Sequence, residues 1–173
     1  MAGNRILLLA VGFVFYLILQ VVFLKNVVVF GTAFCFLYVL FILLLPIEIK
    51  TIPIMLIAFA MGIGVDIFYD TIGIHTASLV GMAFIRNTWL KTLTPTGGYD
   101  ENLNPSLLNM GLGWYVSYSL PLILVHHTLF FFIESLGTNL FLPVVQKIIG
   151  SVIFVFIMSI IVQLLFYRRR RGI

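Results

Sequence analysis

The sequence contains few charged residues and a single cysteine. Charged side chains make up only 9% of the 173 residues, whereas hydrophobic side chains make up 62%. A soluble domain of this length has no way to bury that much apolar surface. The shortage of charge therefore excludes an ordinary soluble domain and indicates an integral membrane protein.

The single cysteine and the lack of catalytic motifs argue against several classes of protein function. Cys35 has no second cysteine with which to form an internal disulfide, and its apolar neighbours predict a small buried side chain. No Gly-rich phosphate loop, Ser/His/Asp arrangement or cysteine cluster occurs in the sequence. We therefore expect neither enzyme activity nor a cofactor. The net charge of +4 lies at the termini and on a few loops. Basic residues in these places typically set the orientation of the chain in a membrane, and their distribution argues against nucleic-acid binding.

Six apolar runs with short polar connections predict an all-α membrane protein made of one transmembrane domain, residues 1–173. The predicted spans are residues 6–24, a second run that ends at 46, residues 51–69, residues 76–90, a fifth run from about 111 to 134, and a sixth from 143 to about 167. The start of the second span stays open between residues 27 and 34. Residues 27–32 are rich in β-branched side chains, which is also typical of an extended loop or a half-buried segment.

Basic residues are distributed unevenly over the predicted connections. Six spans place both termini on one side, and that side then holds eight basic residues against two on the other. The eight are Arg5, Lys50, Arg86, Lys91, Arg168, Arg169, Arg170 and Arg171, and the two are Lys25 and Lys147. The positive-inside rule therefore predicts that both termini are cytoplasmic.

The stretch from residue 62 to 77 carries the clearest signal in the chain. Asp66 lies near the end of an otherwise apolar run. An ionisable residue there has a large free-energy cost if it faces lipid, so it usually faces the interior of a helix bundle. Gly62 and Gly64 precede it and would let another helix approach closely. Gly73 then allows a tight turn before a new apolar run. The pattern predicts a helix, a buried acid, a tight turn and a second helix.

Several polar residues are predicted to share the outer half of the membrane. They are Asp66, Asp70, His75, His126, His127 and Glu134. Three interpretations are open: a metal or hydrolytic site, a small-molecule pocket, and a polar network that locks helix packing or meets a partner's helix. Metal-binding spacings such as His-x-x-x-His are missing, and adjacent histidines on a helix point about 100° apart. The packing network is therefore the favoured interpretation.

Charge and position suggest roles for the other ionisable residues. Asp66 and Asp70 are four residues apart, so a helix would place them on one face, with one of them protonated or paired. Arg86 is predicted to lie near the inner face and to extend towards the cytoplasm together with Lys91. The four arginines from 168 to 171 indicate a stop signal, with binding of anionic lipid or an acidic partner as the alternative.

These residues together resemble a known family. The chain is similar to MreD, a multi-pass subunit of the bacterial rod-shape and cell-elongation machinery, over nearly its whole length. The resemblance rests on Gln20, the Leu-Leu-Leu-Pro sequence ending at Pro46, Gly62-x-Gly-x-Asp66, Gly73-Ile-His75-Thr-Ala and Ala-Phe-Ile-Arg86. The loop from Thr94 to Asp100, together with His126, His127 and Glu134, looks like the version found in Bacteroidota. The loop 91–104 is longer and more polar than in the proteobacterial pattern.

The resemblance implies a non-enzymatic scaffold in the cell inner membrane. Members of the family are thought to bind MreC, a single-span protein, and to couple MreB filaments to RodA and its class B penicillin-binding transpeptidase in peptidoglycan synthesis. The family is also similar in fold to the substrate-binding subunits of energy-coupling-factor vitamin transporters. A solute-binding membrane subunit is therefore the alternative, with a pocket lined by His126, Asp66 and aromatic side chains.

Overall fold

A computed structural model describes residues 2–99, 104–138 and 141–166, and the chain is mainly helical there. The helices are α1 Ala2–Ile18, α2 Val39–Leu43, α3 Thr51–Tyr69, α4 Ile74–Thr92, α5 Leu107–Met110, α6 Leu112–Glu134 and α7 Phe141–Phe166. A π-helical segment, Leu19–Leu24, continues α1. Strands β1, Val28–Val29, and β2, Ala33–Phe34, form a two-stranded antiparallel hairpin.

Four of the helical stretches are long and apolar enough to cross a membrane. They are Ile6–Leu24, Thr51–Tyr69, Leu112–Glu134 and Phe141–Phe166. The predicted fourth span corresponds to α4, which has 19 residues but contains Arg86 and Lys91. The prediction of an all-α membrane protein is therefore supported at this coarse level.

The second predicted span is wrong as a long helix. Only α2, five residues long, is α-helical between the hairpin and α3. The extended alternative for residues 27–32 agrees with β1 and with the tight turn at Phe30 and Gly31, where φ is 52° and 70°. Three consecutive valines favour a strand, and Gly31 suits the positive φ that such a hairpin turn requires.

Residues 35–45, which we call the central segment, run through the middle of the bundle. All eleven are buried, with at most 6% of any residue exposed, and Cys35 is buried and free as predicted. Turns with hydrogen bonds from Leu40 N to Leu37 O and from Phe41 N to Tyr38 O precede and enter α2. Irregular backbone at membrane depth is tolerated only where protein surrounds it, because lipid offers no hydrogen-bond partners.

The central segment connects two levels of the bundle. Its Tyr38 hydroxyl contacts His75 near the start of α4, and its Leu43 carbonyl accepts a hydrogen bond from Arg86 near the end of α4. His75 and Arg86 are eleven residues apart on one helix, which corresponds to roughly 16 Å. We call these levels the histidine end and the arginine end of the bundle.

Candidate functional site

Asp66 holds the beginning of α4 from a neighbouring helix. Its Oδ1 accepts hydrogen bonds from the Thr71 hydroxyl (2.5 Å) and the His75 backbone N–H (3.0 Å). Its Oδ2 accepts from the Thr76 backbone N–H (2.9 Å) and the Thr76 hydroxyl (2.5 Å). The residue preceding α4, Gly73, has no side chain to cap the helix. The buried Asp66 carboxylate, which belongs to α3, therefore caps the N-terminus of α4. A negative charge at this position interacts favourably with the positive end of the α4 dipole.

The glycines before Asp66 make the approach of two helices possible, as the sequence predicts. A Cβ on Gly62 would lie 2.4 Å from the Thr76 Cα, so α3 and α4 touch through their backbones. A Cβ on Gly64 would lie 3.1 Å from the Leu17 side chain of α1. Gly73 has a φ of 79°, which allows the tight turn that returns the chain into α4. Both approaching helices belong to this chain.

Two predicted members of the polar cluster lie at its edge. Asp70 ends α3 in the left-handed conformation, with a φ of 55°, and its side chain is exposed. The expectation that it shares a helix face with Asp66 is wrong, because the chain leaves the helix at that residue. Glu134 is 39% exposed and forms an ion pair of 3.0 Å with Lys147 of α7. Neither carboxylate reaches the buried histidines.

A tyrosine of the central segment joins two of the histidines. The Tyr38 hydroxyl lies 2.8 Å from His75 Nδ1 and 2.8 Å from His126 Nε2. All three side chains are completely buried. The sequence prediction grouped the histidines correctly but missed Tyr38. Its only signal was a hydroxyl group within an apolar run.

The contacts of Ser78 favour one direction for these hydrogen bonds. Its hydroxyl proton has its shortest acceptor in the Ile74 carbonyl (2.8 Å), with the His75 carbonyl at 3.1 Å. With the proton used there, the contact of Ser78 with His126 Nε2 (3.3 Å) is a hydrogen bond when this nitrogen carries a proton. Tyr38 then accepts from His126 Nε2–H and donates to His75 Nδ1. It follows that neutral His75 carries its proton on Nε2.

His127 belongs to the same layer but points elsewhere. Its Nδ1 donates to the Ile123 carbonyl (2.8 Å), so its Nε2 is the bare nitrogen of the neutral ring. The Phe36 ring stacks on the His127 ring, with centroids 5.5 Å apart and planes 20° apart. His75 Nε2, His126 Nδ1 and His127 Nε2 have no hydrogen-bond partner among the described residues. The Phe36 and Tyr38 rings of the central segment occupy the space between the three imidazoles.

Gln20 is a second residue that the site prediction missed. It is completely buried, and its amide donates to the Cys35 carbonyl (2.9 Å) and the Tyr69 hydroxyl (2.6 Å). Its carbonyl oxygen accepts from the Tyr38 backbone N–H (3.2 Å). Gln20 thus satisfies backbone groups that the irregular central segment leaves unpaired. An amide within an apolar run was the signal that could have identified it.

Arg86 has a different role from the predicted one. Its side chain is completely buried and does not extend towards water. Its Nη2 donates to the carbonyls of Leu43 (3.4 Å) and Leu45, and its Nε donates to the Tyr118 hydroxyl (2.8 Å). Tyr118 in turn donates to the Leu43 carbonyl (2.8 Å). The prediction of a cytoplasmic anchor is wrong for Arg86, because the broken backbone of the central segment requires its guanidinium inside.

The remaining anchor candidates lie at the arginine end or outside the described residues. Lys91, in the last turn of α4, is exposed. Arg168, Arg169, Arg170 and Arg171 lie outside the described residues. The nearby Tyr99 hydroxyl donates to the Leu90 carbonyl (2.9 Å), and burial raises the pKa of Tyr99 above its usual 10.0, so this hydroxyl keeps its proton at neutral pH.

The chemistry of the site is that of packing and capping. Asp66, Gln20 and Arg86 each bind backbone groups of another segment, and these bonds tie α3, α4, the end of α1 and the central segment together. Within residues 2–99, 104–138 and 141–166, no group of three or more His, Cys, Asp or Glu side chains is placed to hold a metal ion. Searches of family models, curated proteins and solved structures find no match to this chain.

Proposed function

We propose that this chain is a non-enzymatic membrane scaffold of the bacterial cell-elongation complex. It would bind an MreC-like single-span protein in the cell inner membrane and connect MreB filaments with RodA and a class B penicillin-binding transpeptidase. Both termini would be cytoplasmic. The observation that carries the proposal is that the motif residues of the family resemblance, Gly62, Asp66, Gly73 and His75, form one contiguous packing unit.

That packing unit suits a scaffold because it fixes the shape of the helix pair. Gly62 brings α4 against α3, and Asp66 holds the first turn of α4 in place. A partner's helix recognises a rigid surface at lower entropic cost than a mobile one. Since Gly62 and Gly64 are used inside the chain, the partner would meet the exposed large apolar side chains on the outer faces of the bundle. Those on α1 include Leu8 and Val11, and those on α7 include Ile153 and Leu164.

The experiment is an affinity purification of the full chain from its native membrane in mild detergent, followed by mass spectrometry. The proposal predicts recovery of a single-span MreC-like protein, with or without cell-wall synthases. In Asp66→Leu we expect loss of the partner and altered cell shape, because the cap of α4 is gone. Asp70→Asn is the control, since it removes an exposed carboxylate outside the packing unit and asparagine tolerates the left-handed conformation of this position. Normal cell shape and undiminished partner recovery in Asp66→Leu would contradict the proposal.

A solute-binding membrane subunit is the second candidate. The buried ring nitrogens of His75, His126 and His127 that lack partners favour it, since such atoms are available to a polar ligand. In this structure Phe36 and Tyr38 fill the space beside them, so a ligand would have to displace part of the central segment. Recovery of ATPase subunits, or of a vitamin-sized molecule in stoichiometric amount, would favour this candidate. Added ligand would then raise the unfolding temperature in proportion to RT ln(1+[L]/Kd).

A further inference from the structure

A polar cleft opens at the arginine end of the bundle. It has a volume of about 340 Å³ and lies between the start of α3, the end of α4 and the loop that follows. Its lining includes Lys50, Thr51, Asn87, Lys91 and Tyr99. Glu48 is the one carboxylate among the lining residues that the structure describes. This cleft is separate from the histidine cluster, because the α4 residues that line it lie roughly 18–24 Å along the helix from His75.

The charges around the cleft favour an anion. Lys50 and Lys91 are exposed, and within the described residues neither ammonium group donates a hydrogen bond or forms an ion pair. The N-terminus of α3 opens into the cleft at Thr51 without a side-chain cap, so the positive end of a 19-residue helix adds to the field. Two free lysines and a helix terminus thus outweigh Glu48.

A buried cation lies directly behind the cleft wall. The Asn87 side chain lines the cleft, and its Oδ1 accepts a hydrogen bond from Arg86 Nη1 (3.2 Å). The described partners of the Arg86 guanidinium are carbonyls, a tyrosine hydroxyl and this amide, all of them neutral. The guanidinium is satisfied by these groups, but its positive charge is only weakly screened inside the protein. Arg86 therefore adds to the positive potential that the two lysines and the helix terminus create at the cleft.

A stripe of exposed apolar side chains begins on α3 at the residue after Thr51, which lines the cleft. One face of α3 begins directly after Thr51 and exposes large side chains at spacings of four, three, four and four residues. They are Ile52, Leu56, Phe59, Ile63 and Ile67, between 39% and 72% exposed. This stripe is about 22 Å long at 1.5 Å per residue, which is long enough to lie along one acyl chain in a leaflet. A cationic cleft next to the first residues of an apolar stripe matches the amphipathic character of one phospholipid.

We propose that the cleft binds the phosphate group of an anionic phospholipid through Lys50 and Lys91, with an acyl chain of the same lipid lying along the Ile52–Ile67 face of α3. Asn87 fixes the cleft, because its amide donates to the Ile49 carbonyl (2.9 Å) and the Thr51 hydroxyl (3.2 Å). The site does not depend on the proposed scaffold function. A free phosphate has the same head chemistry as the lipid but lacks the chain, which allows an experiment to separate the two.

The test is native mass spectrometry of the full-length chain, purified in detergent and titrated with phosphatidylglycerol, phosphatidylcholine or inorganic phosphate. We expect one tightly held phosphatidylglycerol in the wild type and about thirtyfold weaker retention in the Lys50→Gln/Lys91→Gln double variant. The double variant Lys25→Gln/Lys147→Gln is the matched control, because it removes the same charge at the histidine end and should retain the lipid as the wild type does. An unchanged unfolding temperature in Lys50→Gln/Lys91→Gln will show that its fold is intact. The control variant also loses the Lys147–Glu134 ion pair, so its lipid retention is measured well below its own unfolding temperature.

The remaining outcomes overturn the proposal. Equal retention of phosphatidylcholine and phosphatidylglycerol would mean that the cleft does not select an anion. Equal weakening in both double variants would mean that overall charge, and not this cleft, holds the lipid. Displacement of phosphatidylglycerol by millimolar inorganic phosphate would assign the cleft to a soluble phosphate compound instead of a lipid.

Discussion

The Asp66 carboxylate of α3 accepts both the backbone N–H and the hydroxyl of Thr76, at 2.9 and 2.5 Å. A Cβ added to Gly62 would lie only 2.4 Å from the Cα of the same residue, Thr76. Asp66 therefore binds Thr76 by hydrogen bonds, and the missing side chain of Gly62 leaves room for the Thr76 backbone. The two features that stood out in the sequence act on the same point of the structure.

Loss of the Asp66 carboxylate is expected to destabilise the bundle. Asp66→Ala leaves the first N–H groups of α4 and two threonine hydroxyls without their acceptor. We expect a loss of roughly 2–4 kcal/mol in unfolding free energy, seen as a fall of roughly 5–15 °C in unfolding temperature in detergent. Asp70→Asn, which removes an exposed carboxylate and tolerates the φ of 55° at this position, is the control. Equal unfolding temperatures for the two variants would contradict the capping role.

A methyl group on Gly62 is expected to force α3 and α4 apart. Gly62→Ala places its Cβ against the backbone of Thr76, which has no flexible end that can move aside. The expected cost is about 1–3 kcal/mol. Gly113→Ala is the matched control, because nothing lies within 4 Å of its added Cβ and a helical alanine is favoured over glycine. The unfolding temperature should fall in the first variant and stay level or rise slightly in the second.

Removal of the Arg86 guanidinium is expected to release the central segment. Arg86→Met has a similar length but leaves the Leu45 carbonyl without its side-chain donor, at a cost of about 1–3 kcal/mol, whereas the Leu43 carbonyl keeps the Tyr118 hydroxyl. Lys91→Met, on the exposed surface five residues later, should leave stability unchanged. Limited proteolysis and thermal unfolding measure both effects. An Arg86→Met variant as stable as Lys91→Met would show that the buried bonds contribute little.

The hydrogen-bond directions around Tyr38 predict the tautomers of all three histidines. Nitrogen NMR of the labelled protein should show neutral His75 and His126 protonated on Nε2, and His127 protonated on Nδ1. Tyr38→Phe removes the bridge and should shift the nitrogen signals of His75 and His126. The His127 signals should change little, since its Nδ1–H is held by the Ile123 carbonyl. An Nδ1-protonated His75 in the wild type would refute the assigned direction.

Burial of Cys35 gives an independent readout of folding. The residue is 1% exposed, and its carbonyl is held by Gln20. A thiol reagent should therefore react slowly with the folded chain and rapidly after denaturation. Gln20→Leu should speed the reaction, because the turn at the start of the central segment loses its side-chain partner. Rapid labelling of the untreated wild type would contradict the buried position.

Local sequence patterns predicted the long helices but did not predict the irregular backbone of the central segment. Hydrophobic length identified α3, α6 and α7, since a membrane helix satisfies its own backbone and needs only an apolar surface. The same criterion failed for the central segment. Its side chains are as apolar as those of a span, but its backbone is satisfied by Gln20 and Arg86 from elsewhere in the chain. Hydropathy records the apolar surroundings and carries no information about which group completes a hydrogen bond.

The sequence by itself predicted a membrane protein with long apolar helices, the burial of Cys35, and the close approach of helices at the Gly62–Asp66 stretch. Those properties follow from composition and from spacing along one helix. Only the tertiary structure decided that Asp66 caps α4, that Arg86 faces inward, and that Tyr38 joins His75 to His126. These contacts bring together residues from 9 to 88 positions apart, and their partners are selected by how the chain packs in three dimensions. The physical reason is that a buried polar group must find its partner wherever the fold supplies one.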